Sequence, residues 1–280
     1  MSRPALALWL LGASASAPTP LLLGVDHMPM AIDDLEAAQA RFRALGFTLK
    51  PGRPHNNGIR NAHAKFADGS SIELITTPAA VDPLTTEYRR LLAQGNSPAF
   101  LSLFVRDMPL TVRALAPLGV RDEDGAPGFE TGPLRAFFFG TRAPSPTDRP
   151  EHFRHANGAR GIDRVWLAPT DPRPVRTMIE LLGGRFHARR VCLATCTTAP
   201  VAILPKGEIV LLPAHFQQLA GRPILGVSIG VDDLAKARRL IRAISSAAPL
   251  ERGGGIFVPP ARTNGMWIEF HAETKKPTGH

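Results

Sequence analysis

The stretch that decides the fold is Leu22-Leu23-Gly24-Val25-Asp26-His27-Met28-Pro29-Met30-Ala31-Ile32-Asp33-Asp34-Leu35. Its first eleven residues are apolar and suited to a strand, and Asp33-Asp34 then opens a helical pattern. Leu35, Ala38, Phe42 and Leu45 recur at helical spacing, and Gly46 supplies the stop. A short strand begins at 47–50, and two more, at 61–66 and 71–76, are joined by the hairpin signal Asp68-Gly69.

The same order returns near the C-terminus. Residues 224–231 read as a strand, Asp232-Asp233 caps a helix, and Leu234, Ala237, Leu240 and Ile241 form its apolar stripe. A turn at 253–255 follows, and Gly265-Met266-Trp267-Ile268-Glu269-Phe270 closes the unit. An aspartate at each helix start accepts free backbone N–H groups and complements the dipole. Two weaker copies lie between. One runs from the strand at 100–105 through Asp107 to 134–139; the other runs from 161–168 through Asp171 to Leu212. Gly24-Val25-Asp26-His27 lines up with Gly161-Ile162-Asp163-Arg164, so the chain reads as four repeats. The Pro- and Arg-rich stretch 141–154 reads as the link between two halves.

The chain has 280 residues, 44% hydrophobic and 20% charged, which suits a globular protein of two ordinary domains. Its net charge of +9 raises the question of nucleic acid, but the arginines are scattered and the longest basic runs are pairs such as Arg89-Arg90. With one Tyr and three Trp there is little for base stacking, so nucleic-acid binding is not expected. The positive field favours an anionic small molecule instead. No apolar run beyond the first twenty residues approaches bilayer length, so no membrane partner is expected. Arg3, the apolar stretch 5–11, Ala13 and Ala15 resemble a short export signal. The expectation is a cytoplasmic protein, with periplasm or secretion the alternative if that segment is a signal peptide. Cys192 and Cys196, read along one strand, would lie about 13 Å apart, too far for a disulfide, and are taken as small apolar residues.

Val25-Asp26-His27, Asp33-Asp34-Leu35, Ala44-Leu45-Gly46-Phe47, the cluster from His55 to Asn61, and Ile72-Glu73-Leu74 together resemble the vicinal-oxygen-chelate superfamily, and within it the glyoxalase-like domain family. His155-Ala156-Asn157-Gly158-Ala159 shares the likeness, which is specific over 22–75 and rests on the repeated layout elsewhere. The resemblance implies an α+β fold of tandem glyoxalase/bleomycin-resistance/dioxygenase-like domains, four βαβββ modules with curled mixed sheets. The expected division is an extension or signal at 1–20, a two-module domain at 21–142, a linker at 143–159, a second two-module half at 160–272 and a tail at 273–280.

The resemblance also places His27 and Glu73 where the superfamily carries metal ligands on the first and last strands of a module. An imidazole and a carboxylate suit Zn, Fe, Mn or Ni. Three readings stay open: a metal held by His27, Glu73 and His55; a metal completed by water; or no metal. In the cluster His55-Asn56-Asn57-Gly58-Ile59-Arg60-Asn61, Arg60 and Asn61 are candidates to hydrogen-bond an anionic or carbonyl ligand, with His55 at the mouth and His63 in phase with Asn61. Arg164, at the position matching His27, would repel a cation and invite an anion. The chain lacks a glycine-rich phosphate loop and a GxSxG elbow. The expected function is a metal-dependent lyase, isomerase or dioxygenase acting on a small oxygenated molecule; the alternative is a non-catalytic small-molecule binding protein. A homodimer is open.

Overall fold

The computed structural model describes residues 19–122, 126–243 and 250–273. The export-like segment and all but the first residue of the tail therefore lie outside the described residues. The first half runs β1 (Leu22–Ala31), α1 (Leu35–Ala44), β2 (Lys50–Pro51), β3 (Arg60–Lys65), β4 (Ser71–Thr76), α2 (Pro83–Leu92), β5 (Ser97–Pro98), β6 (Leu101–Val105), α3 (Met108–Leu115) and β7 (Phe137–Gly140). Its sheet has the order β2-β3-β4-β1-β6-β7, with β5 also on β1. The second half runs β8 (Ala159–Leu167), α4 (Pro172–Leu181), β9 (Phe186–Cys192), β10 (Cys196–Leu204), β11 (Gly207–Leu211), β12 (Ile224–Val231), α5 (Leu234–Ala243), β13 (Leu250–Arg252), β14 (Gly255–Val258) and β15 (Trp267–Ala272). Its sheet has the order β13-β14-β15-β12-β8-β11-β10-β9.

Both sheets are mixed and curled. β1 runs parallel to β4 and antiparallel to β6, and β12 runs parallel to β15 and antiparallel to β8. The parallel pairs β1–β4, β6–β7, β8–β11 and β12–β15 each enclose a helix. Three of those units also carry the two antiparallel strands in between; after α3 the described residues show only isolated bridges at Arg121–Gly128 and Gly128–Phe138. The aspartate caps form as the sequence suggests: Asp34, Asp107 and Asp171 each accept a backbone N–H in the first turn, and Asp233 accepts from Lys236.

One apolar core serves both halves. Leu22, Phe42, Phe66, Val165, Ile229 and Phe270 all belong to it, and Phe47 stacks on Phe270 with ring centroids 5.8 Å apart. Backbone bonds cross the same seam, from Leu21 N to Leu182 O (2.9 Å) and from Lys206 N to Leu23 O (2.7 Å). The connecting stretch is tied down as well. Asp148 takes Lys50 and Lys65, and Arg142 donates to the carbonyls of Val25 and Asp68. Buried His155 accepts from Thr48 N through Nδ1 and donates to Lys65 O through Nε2.

Two sequence expectations need correction. Cys192 and Cys196 form a disulfide, with Cα atoms 4.0 Å apart. They do not share a strand: residues 193–195 turn the chain, so Cys192 ends β9 and Cys196 faces it across the hairpin at the start of β10. Helix α2 was not foreseen. Asp82 caps it in a capping box with Thr85, and Pro83 sits in its first turn, a start signal that the sequence does carry.

Candidate functional site

The pairing of β1 with β6 shifts register between Val25 and His27. Such an irregularity re-aims side chains, and here both Asp26 and His27 serve one site. Asp26 Oδ2 lies 3.2 Å from His27 Nδ1 and accepts from Ser102 Oγ at 3.1 Å. Gly140 on β7 makes room for that carboxylate, since a Cβ there would come within 1.8 Å of Asp26 Oδ2. With Nδ1 donating to Asp26, His27 Nε2 carries the free lone pair. It faces Glu73 on β4, with Nε2 and Oε2 3.8 Å apart.

Strand alternation brings Asn61 and His63 of β3 to the same face. Asn61 Nδ2 donates to Glu73 Oε1 at 2.5 Å and lies 3.3 Å from His63 Nε2. His63 Nε2 is itself 3.8 Å from Glu73 Oε1. Burial holds the His63 pKa below its ordinary value, opposed in part by the Glu73 charge and reinforced by His27. Glu73 is thus flanked by two imidazoles and an amide, and its side chain is 13% exposed.

Above this cluster lies a cavity of about 420 Å³ lined by His27, His55 and Glu73 on one side. Its other walls are mainly apolar, among them Ile59, Ile75, Tyr88, Phe100, Phe129 and Phe138. Phe138 packs edge-on to the His27 ring at 5.2 Å. Burial, with the Glu73 charge, pushes the Tyr88 phenol well above its ordinary pKa, so it stays protonated. A polar cleft of about 250 Å³ also meets His55 and Glu73, and Lys50, Asn61 and His63 line it. His55 Nε2 is buried there without a hydrogen-bond partner among the described residues.

The structure therefore gathers His27, Glu73, His55 and Asn61 of the sequence candidates and leaves two out. Arg60 is exposed and lies on the opposite side of β3 from Asn61, because neighbours on a strand point to opposite faces. Arg164 stands in the other half on β8, where its Nε bonds Glu208 at 3.0 Å and its Nη1 bonds Glu269 at 3.1 Å. Glu269 also accepts from Ser228 Oγ, which Trp166 Nε1 holds at 2.8 Å. A guanidinium taken by two carboxylates of its own chain has little left to offer an anion. Sequence reasoning passed over Asp26, although its adjacency to His27 was the signal, and Tyr88, which arrives on the unforeseen helix.

Among the described residues no three His, Cys, Asp or Glu side chains converge as a metal-holding group. The donors that are present are of types that divalent ions take. An imidazole Nε2 and a carboxylate oxygen face each other on the cavity floor, the imidazole is backed by Asp26, and the unpartnered Nε2 of His55 lines the same cavity.

The profile of the glyoxalase-like domain family matches residues 25–183, more than half of the chain, and the chain belongs to that family. No curated protein matches it in sequence. Solved structures share its vicinal-oxygen-chelate fold at low identity. A variant of 4-hydroxymandelate synthase from Streptomyces coelicolor superposes with a TM-score of 0.64 at 12% identity, covering 92% of this chain and 95% of that one. A variant of homoprotocatechuate 2,3-dioxygenase from B. fuscum gives 0.62 at 15%, covering 94% and 75%. Against a xylose isomerase-like TIM barrel/4-hydroxyphenylpyruvate dioxygenase fusion protein the score is 0.63 at 15%, and the chain, 96% covered, spans about half of it (52%). Among the described residues no helix is long and apolar enough to cross a membrane.

Proposed function

We propose that this protein is a metal-dependent enzyme of the lyase, isomerase or dioxygenase type, acting on a small oxygenated molecule in the first-half cavity. The observation that carries the reading is the His27–Glu73 pair, 3.8 Å apart beneath an apolar chamber. His27 and Glu73 would hold the ion, with His55 or water completing its coordination. When bound, a divalent metal supplies Lewis acidity that polarises substrate oxygens. Asp26 fixes the imidazole so that Nε2 faces inward, and Asn61 donates to Glu73 Oε1 and so sets which carboxylate oxygen stays free. The ring-lined wall excludes water around the apolar body of the substrate, and the protonated Tyr88 adds no competing charge. The proposal takes 21–142 and 160–272 as two halves of two modules each, with the chemistry in the first.

A second reading, a binding protein without catalysis, is favoured by the neighbouring strands. Ser102 pairs with His27 and with Phe138, so β6 and β7 place a hydroxyl and a phenyl ring where further metal donors would stand. Elemental analysis of the protein supplied in turn with Zn, Fe, Mn and Ni decides between the two. The expected result is bound metal in the parent and in Glu269→Ala, and none in a folded His27→Ala. Equal metal in the parent and His27→Ala refutes the assignment; no metal in the parent under any cation supports the binding protein.

A further inference from the structure

A separate cavity of about 210 Å³ opens at the seam between the halves, and Arg222, Arg90, Arg135 and Glu87 stand on its wall. The charges there do not balance. Glu87 holds Arg90 through two bonds, to Nε at 2.8 Å and Nη2 at 2.7 Å, and also takes Arg135 Nη2 at 2.6 Å. One carboxylate is thus shared by two guanidiniums. Asp171, also on the wall, is bonded to the exposed Arg173.

Arg222 is left over. It is 6% exposed, and among the described residues its side chain makes one hydrogen bond, from Nη2 to the Ser97 hydroxyl. Its Nε and Nη1 are buried without hydrogen-bond partners among the described residues. A buried guanidinium bonded to no carboxylate is strongly unfavourable, and a bound ion is one arrangement that completes it. Burial first, then the charge of Arg90, lowers its pKa to about 10 against the opposing charge of Glu87, so at neutral pH it remains a cation awaiting an anion.

We propose that this seam cavity binds a small oxyanion of the phosphate or carboxylate kind, paired with Arg222 and shared with Arg90 and Arg135. The planar guanidinium fork matches two oxygens of such a group. The volume falls below the roughly 300 Å³ at which drug-sized pockets begin, so the occupant is an ion or a short di-acid. Arg135 and Phe100 line this cavity and the first one alike, so occupancy draws on a guanidinium that also borders the apolar chamber. The inference does not rest on the metal reading.

The test is thermal unfolding and titration calorimetry of the full chain with inorganic phosphate and with malonate, each against sodium chloride of matched ionic strength. At a hundredfold excess over the dissociation constant, the oxyanion should raise the unfolding temperature by about 5 °C. Whether phosphate or malonate binds more tightly tells which kind of oxyanion the site prefers. Arg222→Gln should abolish the shift, and the half-exposed Arg90→Gln should weaken binding roughly tenfold while folding normally. In anion-free buffer Arg222→Met should unfold at a higher temperature than the parent, because an unmatched buried charge has gone. If neither oxyanion exceeds chloride, or if folded Arg222→Gln or Arg90→Gln keeps the full shift, the proposal is wrong.

Discussion

Replacing Arg164 by methionine removes a cation from between two carboxylates and keeps most of the side-chain volume. The Arg164 side chain is 21% exposed, Glu208 20% and Glu269 7%. Glu208 retains Arg189 after the change, whereas Glu269 retains only the Ser228 hydroxyl. Breaking a fully buried pair on one side costs about 3–5 kcal/mol. Partial exposure and the surviving Arg189 bond reduce the expected loss here to about 2–4 kcal/mol, or roughly 3–7 °C in unfolding temperature. Adding Glu269→Gln, which leaves no unpaired charge at that position, should recover about half of the loss. Urea denaturation followed by tryptophan fluorescence reads this directly, since Arg164 lies over the Trp166 ring. The effect should appear in the midpoint with an unchanged slope. The Glu208 pKa is the resultant of burial, which raises it, and of Arg189 and Arg164, which more than offset that and bring it below 4.5. A depressed carboxylate contributes stability above its unfolded pKa and loses it as the pH falls through the folded one. The gap between parent and Arg164→Met should therefore narrow below pH 4.5. A loss under about 0.5 kcal/mol, or a double variant no better than the single, would refute the assignment of Arg164 as the counter-ion of this half.

Asp148, held at about 2 by Lys50 and Lys65 against the opposing effect of burial, stabilises the chain above pH 3.8 and ceases to as the pH approaches 2; Asp148→Asn should cost about 1–2 kcal/mol at pH 7 and nothing at pH 2 by chemical denaturation. Half-buried His63 and buried His155 both have pKa values pushed below 6.5, so the unfolded chain takes up protons first and stability should fall from pH 6.5 downward; His63→Gln should flatten that limb, and an unchanged slope would contradict it. Intact mass should rise by two hydrogens on reduction, and Cys192→Ser should cost no more than about 2 kcal/mol because the closed loop is short. Limited proteolysis should cut first within the exposed stretch near 143–147, yet the fragments should stay together on native gel filtration because the core is shared across the seam; separation into two free halves would count against a common core.

What the sequence disclosed and what it withheld divide along a physical line. Strand, aspartate cap and apolar helix stripe are local statements, each satisfied within about fifteen residues, so the strand and helix opening at Leu22 and those opening at Ile224 were each legible before any contact was known. His27 and Glu73 were legible as a pair through the family resemblance, and the geometry that joins them, two neighbouring strands in parallel register, follows from the same topology. The failures share the opposite property. Whether Cys192 and Cys196 lie along a strand or across a turn depends on where the chain reverses, and their spacing of four is compatible with both. Arg60 and Asn61 could not both face the ligand once β3 formed, and alternation alone would have excluded one of them, though not which. Asp26 should by alternation point away from His27, and it serves the same site because the register shift in β1 overrides that rule. Arg222 carried no signal in Gly221-Arg222-Pro223, since an isolated arginine at a turn is ordinarily solvated. It becomes conspicuous only when the seam closes over it and Glu87, on the same cavity wall, proves to be spent on two other arginines. A chain declares its local chemistry in order, but a surplus of charge exists only relative to a completed set of neighbours, so the sites that sequence overlooks are those defined by what is missing around a residue.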